Sequence, residues 1–357
     1  MKCLIRAGVE TLKNVLGVIN LFNENEQLEK LTLNRPLASV PFGGRYRLID
    51  FTLSNLMNSN VKNVAILMNQ KYRSLMDHLG NGKEWDLNRK NGGLFLLPSF
   101  STWDSDIVQT DLQNLFQHLE FFQKAKQDQL LVINGTLITN IDYRVAFQVH
   151  TKNDADITIL YPEEKNSSLN QQASKNEMFF IKKSLFLQFI KENAFEKEIH
   201  SLSDVIYKFM DQYKVIPYFY PNEVIHVSSI KDYYQANMQL LDPDYFQKLI
   251  SKPGKICSKE KDDAPVRYTS TSEVMNSLIA NGCIIEGKVE GSIIFRGVKV
   301  HQGASIKNSI ILQKCEIGEN AVLENVILDK EVVISPNQIL ITKTDQPIVI
   351  EKGAIIQ

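Results

Sequence analysis

Three arginines in one short stretch of the chain are the side chains best suited to binding an anion. Arg35 is followed by Arg45 and Arg47, which come directly after the Gly43-Gly44 turn. A guanidinium group offers paired N–H donors that match the geometry of a phosphate. We therefore predict an anion-binding site at these three arginines. Surface arginines that pair with acidic neighbours such as Asp50 remain an open alternative.

Other reactive side chains show no pattern that indicates a metal centre or a disulfide framework. The four cysteines, Cys3, Cys257, Cys283 and Cys315, are scattered without C-x-x-C spacing. Such spacing would be needed to predict a zinc or redox site. We expect buried, inert thiols.

The overall charge excludes partners that are recognised by a strong electrostatic field. The chain has 40 basic and 41 acidic residues and a formal net charge of -1. This balance predicts neither nucleic acid nor a membrane surface as a partner.

The apolar run at Val15–Phe22 follows Lys2 and Arg6, as in a signal peptide. It contains Asn20 and lacks a small-residue cleavage site, so we interpret it as a buried strand. The sequence therefore predicts a soluble, cytoplasmic protein.

The elements that must position the arginines alternate between strands and helices. Short apolar runs predict buried strands, and they are Val15–Phe22, Val61–Met68, Leu130–Asn134 and Asp156–Tyr161. Lys214–Phe219 is predicted as an edge strand because Pro217 interrupts it. Helical spacing is found in Ile107–Phe122, Leu185–Glu192, Leu202–Met210 and Ile230–Leu241. This alternation predicts an α/β domain with a mostly parallel sheet over residues 1–250.

The pattern of apolar residues changes after a polar segment. Residues 251–273, rich in Lys, Pro and Asp, are predicted to link two domains. From residue 274 to 357, aliphatic residues recur every six positions, as in Ile294, Val300, Ile306 and Leu312, and again in Val322, Leu328 and Ile334. This repeat predicts a hexapeptide β-helix, although an antiparallel sheet would also place aliphatics at even spacing. Because a coil cannot bury its face alone, we expect oligomerisation.

The string Arg35–Asn60, RPLASVPFGGRYRLIDFTLSNLMNSN, resembles a known signature. It is similar to PFGGxYRxIDFxLSNxxNSG of the bacterial glucose-1-phosphate adenylyltransferases, which form ADP-glucose for glycogen synthesis. The resemblance runs over nearly the whole chain. It implies a Rossmann-like nucleotidyltransferase domain followed by a left-handed β-helix. It also implies a reaction of ATP with glucose 1-phosphate that needs a divalent cation.

Several positions that hold nucleotide in the family are changed in this chain. The family loop LAGGxGTRL is matched by Ile19–Thr32, which contains no glycine and places Gln27 at the arginine position. Without glycine the backbone cannot readily make the left-handed turns that cradle a triphosphate. Leu37 stands at the lysine of the family motif RAKPAV. Trp103–Thr110 keeps the tryptophan of WYRGTADA but not its arginine or glycine.

Both positions that correspond to the metal-binding carboxylates of the family are also changed. Thr136 stands at the first aspartate, in the segment matched to GDHIYxxDY, and His226 stands at the second, in the segment matched to WRDVGT. Magnesium prefers oxygen ligands, so His226 is a poor replacement. Asp142 is predicted to cap the helix that follows it. The motif VEKP has no counterpart in Glu163–Glu177, which is predicted as a polar loop.

Within the family the chain resembles the GlgD-type subunit, a catalytically silent relative that pairs with an active GlgC-type enzyme. The resemblance implies a regulatory subunit without a cofactor of its own, in a hetero-oligomer, expected to be a heterotetramer, whose catalytic partner binds Mg²⁺. Arg35, Arg45 and Arg47 match basic positions of the family's effector pocket, which implies an effector site for a phosphate or a sugar phosphate. Pro41 and Asn34 replace a histidine and a lysine of that pocket. An active nucleotidyltransferase with rearranged residues and a hexapeptide-repeat acyltransferase remain alternatives.

Overall fold

The computed structural model describes residues 12–21, 28–68, 71–99, 110–163, 178–221, 223–342 and 347–357. The chain divides into two compact units. The first draws on Met1–Glu24, Phe51–Val224 and Pro253–Ile256, and the second on Asn25–Asp50, Ile225–Lys252 and Cys257–Gln357. The second unit thus includes two segments from the range 1–250. The predicted domain limits at 250 and 274 stay a prediction.

The regular elements before the β-helix are short. The strands are β1 (Val15–Asn20), β2 (Pro41–Phe42), β3 (Tyr46–Arg47), β4 (Asn63–Met68), β5 (Gly93–Pro98), β6 (Gln129–Asn134), β7 (Ile157–Pro162), β8 (Met178–Lys182) and β9 (Val215–Tyr220). The helices are α1 (Glu29–Thr32), α2 (Leu48–Asn58), α3 (Arg73–Leu79), α4 (Asp111–Gln117), α5 (Leu119–Lys124), α6 (Tyr143–Lys152), α7 (Lys183–Asn193), α8 (Leu202–Phe209), α9 (Ile230–Gln239) and α10 (Pro243–Ser251). No helix in these described ranges is both long enough and apolar enough to cross a bilayer.

The first unit is built on a mixed sheet with the strand order β5-β4-β1-β6-β8-β7-β9. The four strands from β5 to β6 are parallel, and β8 lies antiparallel between β6 and β7. All six residues of β1 are buried, as expected for a central strand covered on both faces. The mostly parallel sheet is therefore confirmed, and β9, with Pro217, lies at its edge as predicted.

The sequence pattern did not indicate β5 or β8, and it predicted one helix where the structure has two. The helix predicted at Ile107–Phe122 is divided into α4 and α5 by His118, whose ψ of 15° departs from helical geometry. One ring nitrogen of His118 lies 3.0 Å from the carbonyl oxygen of Pro98 at the end of β5. Apolar periodicity continues through His118 and therefore hides the break. Residues 107–109 lie outside the described residues.

The second unit contains a left-handed β-helix of three parallel sheets. Its strands are β10 (Arg267–Tyr268), β11 (Glu273–Met275), β12 (Leu278–Ile279), β13 (Ile284–Ile285), β14 (Lys288–Glu290), β15 (Ile293–Ile294), β16 (Lys299–Val300), β17 (Ser305–Lys307), β18 (Ile310–Ile311), β19 (Glu316–Ile317), β20 (Val322–Glu324), β21 (Val326–Leu328), β22 (Val333–Ile334), β23 (Ile339–Ile341), β24 (Ile348–Ile350) and β25 (Ile355–Ile356). The coils begin at Arg267, inside the segment 251–273 that was predicted to be a linker. The hexapeptide repeat is confirmed.

Stacked aliphatic side chains form the core of the β-helix. Ile306 pairs with Leu323 in the next coil, and both are fully buried. The six-residue recurrence predicted that Val322 points inward with Leu328 and Ile334, and this was wrong, because Leu323 takes the inward position and Val322 is half-buried on the outer face. Asn308 and Asn325 occupy corners with φ of 46° and 54°. Asparagine tolerates this left-handed conformation better than most residues, which explains its recurrence at the corners.

One of the three sheets is buried on both faces. Ile293, Ile310 and Ile327 alternate with the inward residues of this sheet and are nevertheless fully buried. Parts of the segments 28–50 and 225–252 of the same unit lie against this sheet. For example, the Tyr234 hydroxyl donates to the Asn308 carbonyl oxygen at 2.7 Å. The purely aliphatic face explains why these segments join the β-helix in one unit.

Candidate functional site

In the first unit, the carboxyl ends of β1 and β6 lie side by side. Asn20 and Asn134 are register partners at these ends. Ligands of open α/β sheets bind outside the carboxyl ends of the strands, so this edge is where a nucleotide would be expected. What the two asparagines contact therefore decides what this edge can bind.

Thr136, which stands at the position of a metal-binding aspartate of the family, forms hydrogen bonds with Asn134. The backbone N–H and the hydroxyl of Thr136 both donate to Asn134 Oδ1, at 2.9 and 2.7 Å. Thr136 is only 9% exposed. This closed pair of neutral side chains carries no charge that would attract a cation.

Asn20 is bonded to a buried carboxyl group that the sequence analysis missed. Asn20 Nδ2 donates to Asp111 Oδ1 at 2.5 Å, and the Leu202 backbone N–H donates to Asp111 Oδ2 at 3.4 Å. Burial raises the pKa of Asp111 to about 6, an effect that the hydrogen bond from Asn20 partly opposes. The signal in the sequence is the capping box of Thr110 and Gln113, which places Asp111 in the first turn of α4.

The side chains at this edge do not fit a magnesium ion. Thr136 and Asn134 are neutral and bonded to each other, and both oxygens of Asp111 already accept hydrogen bonds. Magnesium sites in proteins use ionised carboxylates and retain several water ligands. Within the described ranges, no group of three or more His, Cys, Asp or Glu side chains is placed to hold a metal ion.

The other substituted family positions add no catalytic group in the described residues. Leu37 is 5% exposed and begins a short 3₁₀ turn, so it packs as an apolar side chain. His226 belongs to the second unit and is half-buried. Gln27, Trp103 and the predicted polar loop after Glu163 lie outside the described residues.

In the second unit, the Gly43-Gly44 turn presents two of the predicted arginines. Both glycines have positive φ, 57° and 80°, and a Cβ on Gly43 would lie 2.7 Å from a Leu240 methyl group. The turn joins β2 to β3, and Tyr46 is buried between Arg45 and Arg47. Alternation along the strand therefore turns both arginines away from the buried face. The positive φ of both residues favours glycine at this turn.

Arg35 forms a buried ion pair. Arg35 Nη2 lies 2.5 Å from Asp329 Oδ2, and the two side chains are 4% and 1% exposed. The other terminal nitrogen, Nη1, is buried and has no hydrogen-bond partner among the described residues. Asp329 also accepts the backbone N–H of Lys330 at 2.7 Å. Arg35 therefore helps to fix the chain at Lys330.

Lys330 lies among positive charges that disfavour its own. Burial, followed by repulsion from Arg47 and Arg35, lowers the pKa of Lys330 to about 7, although Asp329 acts in the opposite direction. A lysine in this state gains from any anion that binds beside it, because the anion offsets the repulsion. No sequence pattern connects Lys330 with the arginines, because it is distant from them in the chain.

Arg45 lines a cavity of about 700 Å³ together with two further cations. Burial lowers the pKa of Lys261, and the neighbouring Arg296 lowers it further. Burial and the nearby Arg45 likewise lower the pKa of Arg296, while Asp263, 3.5 Å away, opposes that shift. The lining also contains residues with acceptor groups, Glu260, Asp262 and Asn281, and the apolar residues Ile279 and Ala280.

The three predicted arginines thus lie in one unit with Lys261, Arg296 and Lys330, a set called here the cation cluster. Asp50, the alternative partner considered from the sequence, is fully buried and accepts the backbone N–H of Arg47 at 2.9 Å. The assignment of the arginines to an effector site stays a prediction. The structure adds the cations that converge with them from distant parts of the sequence.

Two known protein families match different parts of the chain, one in its N-terminal half and one in its C-terminal part. Residues 24–170 match the family described as nucleotidyl transferase. Residues 256–345 match the family described as GlmU-like, C-terminal hexapeptide. These matches agree with the mixed sheet and with the β-helix.

Individual relatives resemble the chain over almost its whole length. It is 36% identical to the glycogen biosynthesis protein GlgD of Bacillus subtilis over 96% of both chains. It is 38% identical to the protein of the same name from Geobacillus stearothermophilus, over 96% of this chain and 97% of the relative. A glucose-1-phosphate adenylyltransferase of Geobacillus stearothermophilus is 30% identical over 83% of this chain and 84% of its own. On this evidence the chain belongs to the GlgD branch of the glucose-1-phosphate adenylyltransferase family.

Proposed function

We propose that this chain is a non-catalytic, regulatory subunit of glucose-1-phosphate adenylyltransferase in glycogen biosynthesis. It would bind a GlgC-type catalytic subunit that makes ADP-glucose from ATP and glucose 1-phosphate, and it would raise that partner's activity. The expected assembly is a heterotetramer in the cytoplasm. The family relationship supports the role in glycogen biosynthesis. The two candidate sites support the assignment of catalysis to the partner and of regulation to this chain.

The observation that carries this proposal is the neutral strand edge of the first unit. A nucleotidyl transfer joins two anions, so the enzyme must neutralise charge that develops on phosphate oxygens. Here Thr136 donates to Asn134, and Asn20 donates to the buried carboxyl group of Asp111. These side chains satisfy one another and leave no ionised pair for magnesium. Chemistry is therefore assigned to the partner, where Mg²⁺ is expected.

The cation cluster supports the regulatory part of the proposal. Lys330 and Lys261 both have pKa values lowered by burial and by neighbouring positive charge. An anion would relieve this repulsion, and the acidic and amide groups beside Arg45 would accept hydrogen bonds from hydroxyl groups. We therefore propose a phosphate or a sugar phosphate as the effector. Its differential affinity for two states of the assembly would shift their populations.

Titration of the catalytic partner with this chain tests the proposal. A purified GlgC-type subunit is assayed for ADP-glucose synthesis at saturating ATP, glucose 1-phosphate and Mg²⁺ while this chain is added up to stoichiometric amounts. We expect the maximal velocity to rise and then to level off at a fixed subunit ratio. An unchanged velocity and an unchanged response to phosphate would contradict the regulatory role.

A matched pair of variants separates regulation from assembly. Lys330→Gln removes a charge from the cation cluster, and Lys124→Gln removes an exposed charge on α5 in the first unit. Both variants should still co-purify with the partner. Only Lys330→Gln should lose the response of the assembly to phosphate.

A further inference from the structure

Four of the points where the chain passes from one unit to the other lie within the described residues. They follow Asp50, Val224, Lys252 and Ile256. Groups of the first unit beside these points form hydrogen bonds with one short loop, residues 139–141, or belong to α2, which contacts that loop. We call residues 139–141 the joint loop.

Helix α2 contains the first of these points and is bonded to the joint loop through Asn55. The helix begins at Leu48, so the chain enters the first unit within it. Asn55 Nδ2 donates to the Thr139 carbonyl oxygen at 2.9 Å, and the Ile141 backbone N–H donates to Asn55 Oδ1 at 3.2 Å. Asn55 is only 1% exposed. Both polar atoms of this buried amide group therefore hold the joint loop.

The joint loop in turn holds the backbone beside two of the later points. Thr139 Oγ1 donates to the Glu223 carbonyl oxygen at 2.9 Å. Asn140 bonds to both backbone groups of Gly254, because its Nδ2 donates to the carbonyl oxygen at 2.7 Å and its Oδ1 accepts the N–H at 3.3 Å. Glu223 and Gly254 each lie within two residues of a point where the chain changes unit. Side chains of one loop therefore fix two separate connections.

A second asparagine of α2 secures the segment around Gly254. Asn58 Nδ2 donates to the Lys255 carbonyl oxygen at 3.1 Å. A Cβ on Gly254 would lie 2.2 Å from that same nitrogen, so a larger residue would displace Asn58 from its bond. Ile256, the last residue before the chain leaves the first unit, is 1% exposed. Residues 253–256 are therefore bonded to both α2 and the joint loop.

We propose that the joint loop couples the two units, so that they unfold together and a change of state in the second unit reaches the strand edge of the first. Glu223 and Gly254 lie outside helices and strands, so side-chain bonds supply the restraint that a regular ladder would give. Asn134 and Thr136 of the strand edge precede the joint loop in the connection from β6 to α6. A displacement of the joint loop therefore shifts the backbone that carries them.

Calorimetric unfolding of the full chain tests the coupling with a matched pair of variants. Asn140→Ala removes both bonds to Gly254, and Asn193→Ala removes a bond to the Phe189 carbonyl oxygen within α7. The two asparagines are similarly buried, at 3% and 5% exposed. We expect a single transition for the unchanged chain and for Asn193→Ala, and two separate transitions for Asn140→Ala. Two transitions in the unchanged chain, or one in Asn140→Ala, would overturn the proposal.

Hydrogen exchange on the unchanged chain gives a second readout that needs no variant. The backbone N–H groups of Ile141 and Gly254 donate to Asn55 and Asn140, so one opening of the joint loop should release both. We expect the protection factors of the two amides to agree and to fall in parallel as urea is added at low concentrations. A protection factor at Gly254 about tenfold or more below that at Ile141 would contradict a shared opening.

Transmission from the second unit rests on the anion site proposed above and has its own readout. Saturating sulfate should raise the protection of the Ile141 amide in the unchanged chain by about threefold or more. Asn140→Ala should bind sulfate with the same affinity but lose this rise. Sulfate that binds without changing the exchange of Ile141 would overturn transmission. A chain that does not bind sulfate would contradict the proposed anion site, whereas the unfolding result decides the coupling in either case.

Discussion

At the strand edge of the first unit, polar side chains form hydrogen bonds with one another. In the cation cluster of the second unit, positively charged side chains lie close together. At the strand edge, Thr136 and Asn20 complete hydrogen bonds with neighbouring side chains, and none of the three residues Asn20, Asn134 and Thr136 is charged. In the cation cluster, burial and then the neighbouring positive charges lower the pKa values of Lys330 and Arg296. A region whose groups satisfy one another has little to gain from a ligand. A region with excess positive charge gains from an anion, and we therefore propose that this chain binds its effector through the second unit.

The largest expected effect is on the buried ion pair of the cation cluster. Arg35→Ala leaves the Asp329 carboxylate buried without its partner, which should lower the free energy of unfolding by about 3–5 kcal/mol. Replacing both members, as in Arg35→Met with Asp329→Leu, should recover most of this loss because no unpaired charge remains. Urea unfolding of the three proteins measures the difference. A double variant as unstable as Arg35→Ala would contradict this interpretation.

The buried carboxyl group of the strand edge should make stability depend on pH. The pKa of Asp111 is raised from 3.8 to about 6 in the folded chain, so the folded state binds more protons between these values. Its contribution to stability is therefore complete below about pH 4 and is lost as pH rises through 6, by about 2–3 kcal/mol. Asp111→Asn should remove this decline. Urea unfolding from pH 4 to 8 measures it, and an equal decline in the variant would assign it to other groups.

Anion binding to the cation cluster should weaken as pH rises through 7. Lys330, with a pKa of about 7, loses its charge over this range. Sulfate is a suitable probe because its own charge does not change between pH 6 and 8. Lys330→Gln should weaken sulfate binding at pH 6 by about tenfold and remove the pH dependence. Isothermal titration measures both, with Lys124→Gln as the control. Sulfate binding that is unchanged in Lys330→Gln would place the anion elsewhere.

The smallest expected effect concerns a helix start in the first unit. Asp142 accepts the Arg144 backbone N–H at 3.0 Å and caps α6, as the sequence predicted. Asp142→Ala should lower stability by about 1 kcal/mol, while Asp142→Asn, which keeps a capping oxygen, should lower it much less. Thermal unfolding measures both variants. Equal losses would show that the charge of Asp142, and not its cap, stabilises the helix.

Local patterns predicted most of the fold but only part of each site. Burial and periodicity identified β1, β6 and the repeat of the β-helix, because these depend on residues close in sequence. They did not find β8, a short strand that follows a polar segment. They also did not pair Arg35 with Asp329 or place Lys330 beside Arg47, because those contacts form only when the coils stack against residues 28–50. Asp111 was missed for a similar reason, since its partner Asn20 is on a distant strand.

We propose that this chain does not transfer a nucleotidyl group by itself. Pyrophosphate release by the purified chain, supplied with ATP, glucose 1-phosphate and Mg²⁺, tests it most directly. We predict a rate no higher than that of the solution without protein, including for Thr136→Asp, which restores one carboxylate but not the phosphate-binding loop. Steady turnover that follows the concentration of the isolated chain would contradict the account.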